Sequence, residues 1–166
     1  MTIRHAELND LDIIVHIYED ARAFMKETSN PNQWGITNPS LERTIEDITT
    51  EKLYVACEAD SILGVFFYDF ANDPTYEKIY DGSWLNDESY GVMHRVAISK
   101  DARGRGVAGF CFDFAYQKCN NLKIDTHKDN IPMQKSLAKN GFTKCGIIHL
   151  ANGDERIAYQ KAETIS

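Results

Sequence analysis

The stretch Ser99-Lys100-Asp101-Ala102-Arg103-Gly104-Arg105-Gly106-Val107-Ala108-Gly109 decides how the rest of this chain is read. Before it runs a β-rich segment, Tyr90 to Ser99; after it, Val107, Phe110, Cys111, Phe114 and Ala115 repeat at helical spacing. A strand therefore ends and a turn of glycine and arginine enters a helix. The first N–H groups of a helix have no partner inside it and point outward, toward any anion placed there. Glycines let a pyrophosphate approach the main chain, because no Cβ intervenes. Arg103 and Arg105 are placed to add charge-assisted hydrogen bonds to phosphate oxygens. A plain strand-to-helix turn with solvated arginines is the alternative, and two glycines and two arginines in four positions weigh against it.

Working outward, the segments on either side divide into two halves. Thr2 to Ala6 reads as a first strand. Asn9 or Asp10 is placed to cap a helix bearing Leu11, Ile14, Val15, Tyr18, Ala21 and Met25. Residues 28–39, with Pro31, Gly35 and Pro39, form a loop, and Asn38-Pro39 is placed to open a second helix with Leu41, Ile45 and Ile48. Leu53 to Ala59 and Ile62 to Phe70 are strands joined at Asp60-Ser61, and residues 71–89 are turn-rich. Beyond the glycine turn and its helix come a strand at Leu122–Thr126 and a helix opened by Asn130-Ile131-Pro132 and closed by Asn140-Gly141. Strands at 143–150 and 156–160 flank Asn152-Gly153, a two-residue hairpin signal. The order β-α-α-β-β-β-α-β-α-β-β predicts one α/β domain over residues 1–166, with a mixed sheet, a βαβ unit in its second half and helices on its faces.

Composition narrows the function. With 43% hydrophobic residues, 166 residues suffice for one core. No apolar run approaches the ~20 residues that span a bilayer, and Met1 to Glu7 shows no signal-peptide core. A net charge of −7 argues against a nucleic-acid partner. Cys57, Cys111, Cys119 and Cys145 lack metal-ligand spacing and read as reduced thiols, so the cytoplasm is the expected compartment and no metal is expected.

Gly104-x-Gly106-x-x-Gly109 also spells a dinucleotide-binding fingerprint, with Asp125 at the end of the next strand. That reading is set aside, because Lys100 to Arg103 separate the first glycine from the strand and the chain lacks the repeated parallel units the fold needs. Arg103-x-x-Gly106-x-Ala108 instead resembles the Q/R-x-x-G-x-G/A signature of the GNAT superfamily of N-acetyltransferases. Asn130, followed eleven and twelve residues later by Gly141-Phe142, is similar to that family's second block. The resemblance is tight over about residues 90 to 146 and architectural elsewhere. It implies a mostly antiparallel sheet with a central acyl-CoA-binding βαβ unit, and acetyl-CoA as co-substrate. It also implies direct transfer of the acetyl group to a primary amine of a small molecule or peptide. The residues implied to bind the cofactor are Val96, Ala97 and Ile98 on the strand, Arg103, Gly104, Arg105, Gly106, Val107 and Ala108 in the turn, and Asn130. A homodimer is common in such folds. The tyrosine that many members use to protonate the leaving thiolate falls at Leu137, and Met133 replaces a small residue, so a non-catalytic acyl-CoA-binding protein is the competing expectation.

Acetyl transfer needs a base for the amine, and His94 is the first candidate, since Val92, His94, Val96 and Ile98 share a face in a regular strand. Two roles are open to it, a catalytic base or a packed core histidine. His127, Tyr90 and Glu58 are further candidates, the last two through a bridging water. For the acceptor, the loop around Trp34 and the segment from Asp69 to Tyr90 stand out. That segment carries Asp69, Asp73, Glu77, Asp81, Asp87 and Glu88 among Tyr76, Tyr80 and Trp84. It reads either as a wall that attracts a cation or as a loop burying its own aromatics.

Overall fold

The computed structural model describes residues 1–163. Seven strands, β1 (Thr2–His5), β2 (Leu53–Glu58), β3 (Ser61–Phe70), β4 (Gly91–Ile98), β5 (Asn121–Thr126), β6 (Thr143–His149) and β7 (Glu155–Ala162), form one sheet in the order β1-β2-β3-β4-β5-β7-β6. Four helices, α1 (Leu11–Glu27), α2 (Leu41–Thr49), α3 (Val107–Cys119) and α4 (Ile131–Lys139), complete the predicted succession of strands and helices. All neighbours are antiparallel except β4 and β5, which run parallel with α3 between them.

Strand alternation sends side chains to two faces, and each face has its own core. On one, Phe112, Cys111 and Ala115 of α3 and Leu137 of α4 pack on Phe66, Met93, Leu122, Ile124 and Tyr159. On the other, Ile14, Ile17, Tyr18 and Ala21 of α1 and Ile48 of α2 pack on Leu53, Val55, Val65 and Ala97. That second face continues into a cluster of Tyr76, Tyr90, Val92, Ile148 and Ala158. Tyr76, Trp84 and Tyr90 thus turn inward, and the cation they hold is the chain's own: Lys123 Nζ lies 4.0 Å from the Trp84 ring centroid and 3.8 Å from that of Tyr90.

Several boundaries differ from the sequence reading. Asp10 precedes α1 but makes no side-chain cap, because its carboxylate is taken by the Arg4 guanidinium (2.8 and 3.0 Å) and the Glu7 N–H (2.8 Å). The cap of α2 is Ser40, accepting from the Arg43 N–H at 3.1 Å, rather than Asn38; a hydroxyl two residues on satisfies the first turn directly. The β2–β3 hairpin turns at Ala59-Asp60, since Glu58 pairs with Ser61. Asn152-Gly153 sits in a five-residue connection, as His149 pairs with Glu155.

Candidate active site

The two parallel strands are in register only at Gly91–Leu122 and Val92–Lys123. Beyond Val92, the edge of β4 that faces β5 has no strand partner, so its main-chain groups border an opening in the middle of the sheet. A cavity of about 610 Å³ occupies this opening. Val92 to Val96 line it from β4, Ile124 and Asp125 from β5, Asn130 and Met133 from the start of α4, Gln33 and Trp34 from the α1–α2 loop, and Asp73 to Thr75 from the long connection.

Within β4 the alternation breaks. Val65 pairs with Ala97 but Phe67 pairs with His94, so Arg95 and Val96 together oppose Phe66, and Arg95 takes a left-handed conformation (φ 52°). That conformation costs a side-chain-bearing residue about 1–2 kcal/mol. Arg95 is held there by the Asp47 carboxylate, 2.9 Å from its Nε, and by the Phe67 ring, 4.4 Å below its guanidinium. The bulge corrects the sequence reading. Met93 and Val96 both enter the α3-side core while Ala97 turns to the α1 side, so His94 and Val96 lie on opposite faces. Sequence alternation had no means of registering an inserted residue.

His94 faces the cavity on the α1 side. Its Nε2 lies 2.9 Å from Asp73 Oδ2, and its ring packs on Phe67 (5.7 Å) and Tyr76 (6.0 Å). Burial alone would raise the Asp73 carboxyl. Hydrogen bonds from His94 and from the Thr75 hydroxyl (2.6 Å) and N–H (3.0 Å) outweigh it and bring the carboxyl down to about 2. With Nε2–H donated to Asp73, a neutral imidazole keeps its acceptor lone pair on Nδ1. Alongside, Tyr76 donates to Asp125 Oδ2 at 2.7 Å; burial first, and then this carboxylate, push the phenol well above its ordinary range.

The glycine turn lies past the end of β4. Gly104 and Gly106 have φ of 81° and 78°, the left-handed region that favours glycine, and a Cβ built on either would meet nothing within 4 Å. The Arg105 N–H returns to the Ala102 carbonyl (3.3 Å) and the Phe110 N–H to that of Gly106 (3.1 Å). The N–H groups of residues 106–109 between them have no partner among the described residues. The turn therefore presents free donors to open space, which suits a phosphate. The arginines are already engaged. The Arg103 guanidinium stacks 4.1 Å from the Phe24 ring centroid and donates to the Asp20 carbonyl (3.4 Å), while Arg105 Nη2 meets Glu58 Oε1 at 2.8 Å on the surface. Val107 is buried, Ala108 is half-buried, and Ile98 packs with Val107 over Gly64. Asn130 caps α4 by accepting from the Met133 N–H (3.2 Å) and donates to Gln33 Oε1 (2.8 Å), joining α4 to the α1–α2 loop at the cavity mouth.

Other candidates separate from His94. Glu58 belongs to the glycine turn through Arg105. His127, which accepts from the Asp129 N–H (3.0 Å), borders a second cavity of about 880 Å³ and is largely buried. The Tyr90 hydroxyl accepts from the Asp73 N–H (2.9 Å) and so steadies the His94 partner. Leu137 is fully buried in the α3-side core. Asp69 and Asp73 line the main cavity; Asp81 and Asp87 do not. Sequence reasoning singled out neither the pairing of Asp73 with His94, twenty-one residues apart, nor Gln33 and Arg156 in the lining. No local spacing encodes contacts made across the sheet.

The fold agrees with the comparisons to known proteins. The family model of the Acetyltransferase (GNAT) family matches residues 15–142. A GNAT-family acetyltransferase from Streptococcus agalactiae 2603 superposes with a TM-score of 0.90 at 32% identity, covering 99% of this chain and 96% of its own. A structure from Staphylococcus aureus MU50 gives 0.69 at 29%, covering 98% and 99%. A GNAT-family acetyltransferase from Listeria monocytogenes 4b F2365 gives 0.70 at 19%, covering 96% and 93%, and shares the fold. No curated protein matches the chain. The chain belongs to the GNAT acetyltransferase family.

Proposed function

We propose that this protein is an N-acetyltransferase that uses acetyl-CoA as co-substrate and moves the acetyl group directly to a primary amine. The observation that carries the reading is the hydrogen bond between His94 and Asp73 at the rim of the opening between β4 and β5. Acetyl-CoA supplies an activated thioester. The free N–H groups of residues 106–109 hold its pyrophosphate, with Arg103 and Arg105 as the adjoining cations once they exchange their present partners. The unpaired edge of β4 over Val96 to Ile98 offers main-chain donors to the thioester carbonyl. Asn130 positions the mouth of the opening. His94 takes the proton from the attacking amine, and Asp73 stabilises the imidazolium that results.

Holding both substrates in one cleft supplies about 7–11 kcal/mol of the barrier reduction. The departing thiolate is not given a proton by the family's usual tyrosine position, since Leu137 is enclosed in the core. A coenzyme A thiol of ordinary acidity, about 8.5, leaves tolerably as the anion.

The same leucine favours a second reading, an acyl-CoA-binding protein without turnover. A screen of acetyl-CoA consumption across amino acids, polyamines, aminoglycosides and peptide N-termini separates the two. Acceptor-dependent release of coenzyme A supports transfer. Cofactor binding with slow thioester loss for every amine would overturn it.

A further inference from the structure

The cavity contains a charge that the transfer chemistry above does not use. Arg156, on β7, is only 6% exposed and borders the opening together with Asp125 and Gln33. Neighbouring Ile157 and Tyr159 pack toward α3, and Ala158 packs in the Tyr76–Val92 cluster. By alternation Arg156 shares the Ala158 face, the face on which His94 and Asp125 stand. Its Nη1 donates to the Glu155 carbonyl (2.9 Å) and its Nη2 to the Gln33 carbonyl (3.2 Å). Both acceptors are neutral, and among the described residues no carboxylate lies within 4.0 Å of it.

Most other charged groups of the lining have charged or titratable partners within the protein, and Asp125 has a neutral one. Asp73 pairs with His94, Asp69 with Lys52 (3.2 Å) and Arg95 with Asp47 (2.9 Å), and Asp125 accepts from Tyr76 (2.7 Å). Arg43 is exposed and stands 3.9 Å from Glu46. A buried guanidinium without a counter-charge is costly unless an anion completes it. Two of its five N–H donors are occupied, and the rest of a planar fork suits a carboxylate. Of the acids that seemed to favour a cationic acceptor, only Asp69 and Asp73 line the cavity, and both are engaged by side chains of the protein, while Arg156 is left with neutral partners.

We propose that the acceptor is an amino-carboxylate, with Arg156 holding its carboxylate while the amine meets His94. The meeting of the amine with His94 rests on the transferase reading; the carboxylate site does not. It divides acceptors by one functional group, since an α-amino acid and its α-carboxamide differ at the atoms Arg156 would touch; the carboxamide's amine is also less basic, so rates are compared per neutral amine. Losing a charged hydrogen-bond partner for a buried guanidinium costs about 10- to 100-fold in specificity.

The test compares the common amino acids with their carboxamides, in wild-type protein and in Arg156→Gln and Arg156→Lys. The measurements are kcat/KM by coenzyme A release, the thermal midpoint with each acceptor, and acetyl-CoA affinity. The expected result is a preferred acid whose kcat/KM exceeds that of its amide by 10-fold or more in the wild type. Arg156→Gln lowers the rate with the acid alone, mainly through KM, Arg156→Lys restores part of it, and acetyl-CoA affinity holds. If no amine turns over but the acid raises the wild-type midpoint and not that of Arg156→Gln, the carboxylate site stands and the transferase reading falls. Equal treatment of acid and amide in the wild type overturns the site, as does loss of acetyl-CoA affinity in a folded Arg156→Gln. No response to any acid, in rate or midpoint, overturns it too.

Discussion

Replacing Asp73 by asparagine keeps the shape of the side chain that supports His94 and removes its charge. Asp73 Oδ2 is 2.9 Å from His94 Nε2, and Oδ1 accepts from the hydroxyl and N–H of Thr75. The fall of the carboxyl from 3.8 to about 2 corresponds to about 2.5 kcal/mol of preference for the ionised form in the folded protein. The side chain keeps 19% of its surface in solvent, and screening leaves on the order of 1–2 kcal/mol. Because the folded value is depressed, this stabilisation is complete above about pH 3.8 and is lost as pH falls through about 2. Asp73→Asn is therefore less stable than wild type by that amount at pH 7, and the difference shrinks as the pH of a urea titration is lowered below 4. In catalysis the amide, with one acceptor oxygen, serves either His94 or Thr75 and not both, and it cannot stabilise an imidazolium. A charge-assisted bond is worth about 1.5–3 kcal/mol, so kcat/KM drops about 10- to 100-fold while acetyl-CoA affinity is unchanged. A variant with wild-type kcat/KM and a wild-type urea midpoint at pH 7 would refute the reasoning.

Two other substitutions probe the cofactor end and the buried lysine. Gly106→Asp puts a carboxylate into the open space before the free N–H groups, where a Cβ meets nothing, and the left-handed φ of 78° costs the variant about 1–2 kcal/mol. Acetyl-CoA at 100 times the wild-type dissociation constant, which stabilises wild type by about 2.7 kcal/mol, then leaves the variant's midpoint unmoved, as a thermal melt would show. Lys123, enclosed between Trp84 and Tyr90, is lowered by burial to about 8 from 10.5. A depressed lysine disfavours the folded state while it is charged, so stability gains as pH rises from about 8 toward 10.5. Lys123→Met removes that gain, and denaturant midpoints at pH 7.5 and 10 measure the change.

The glycine turn was legible because its cause is local. Left-handed φ at Gly104 and Gly106 and exposed N–H groups at a helix start follow from neighbouring residues alone. The succession of elements was legible for the same reason. The candidate site is different in kind. One inserted residue at Arg95 reverses the alternation of β4, and what stabilises it, Asp47 on α2, lies forty-eight positions away in the chain. Asp73 was visible only as one acid in an acidic segment, and the aromatics beside it gave no sign that Lys123 would fill them. Arg156 looked like any strand arginine, since its lack of a counter-charge is a property of the folded cavity.

The central claim is that the amine loses its proton to His94 in the opening between β4 and β5. Coenzyme A release by wild type and His94→Gln, at saturating acetyl-CoA and with the acceptor that the amine screen identifies, tests it most directly. Acetyl-CoA affinity is measured in parallel. Loss of a general base predicts a fall in turnover of about 100-fold or more with cofactor affinity unchanged. Turnover equal to wild type in a variant that binds acetyl-CoA normally would contradict the account and leave His94 as a packed strand residue.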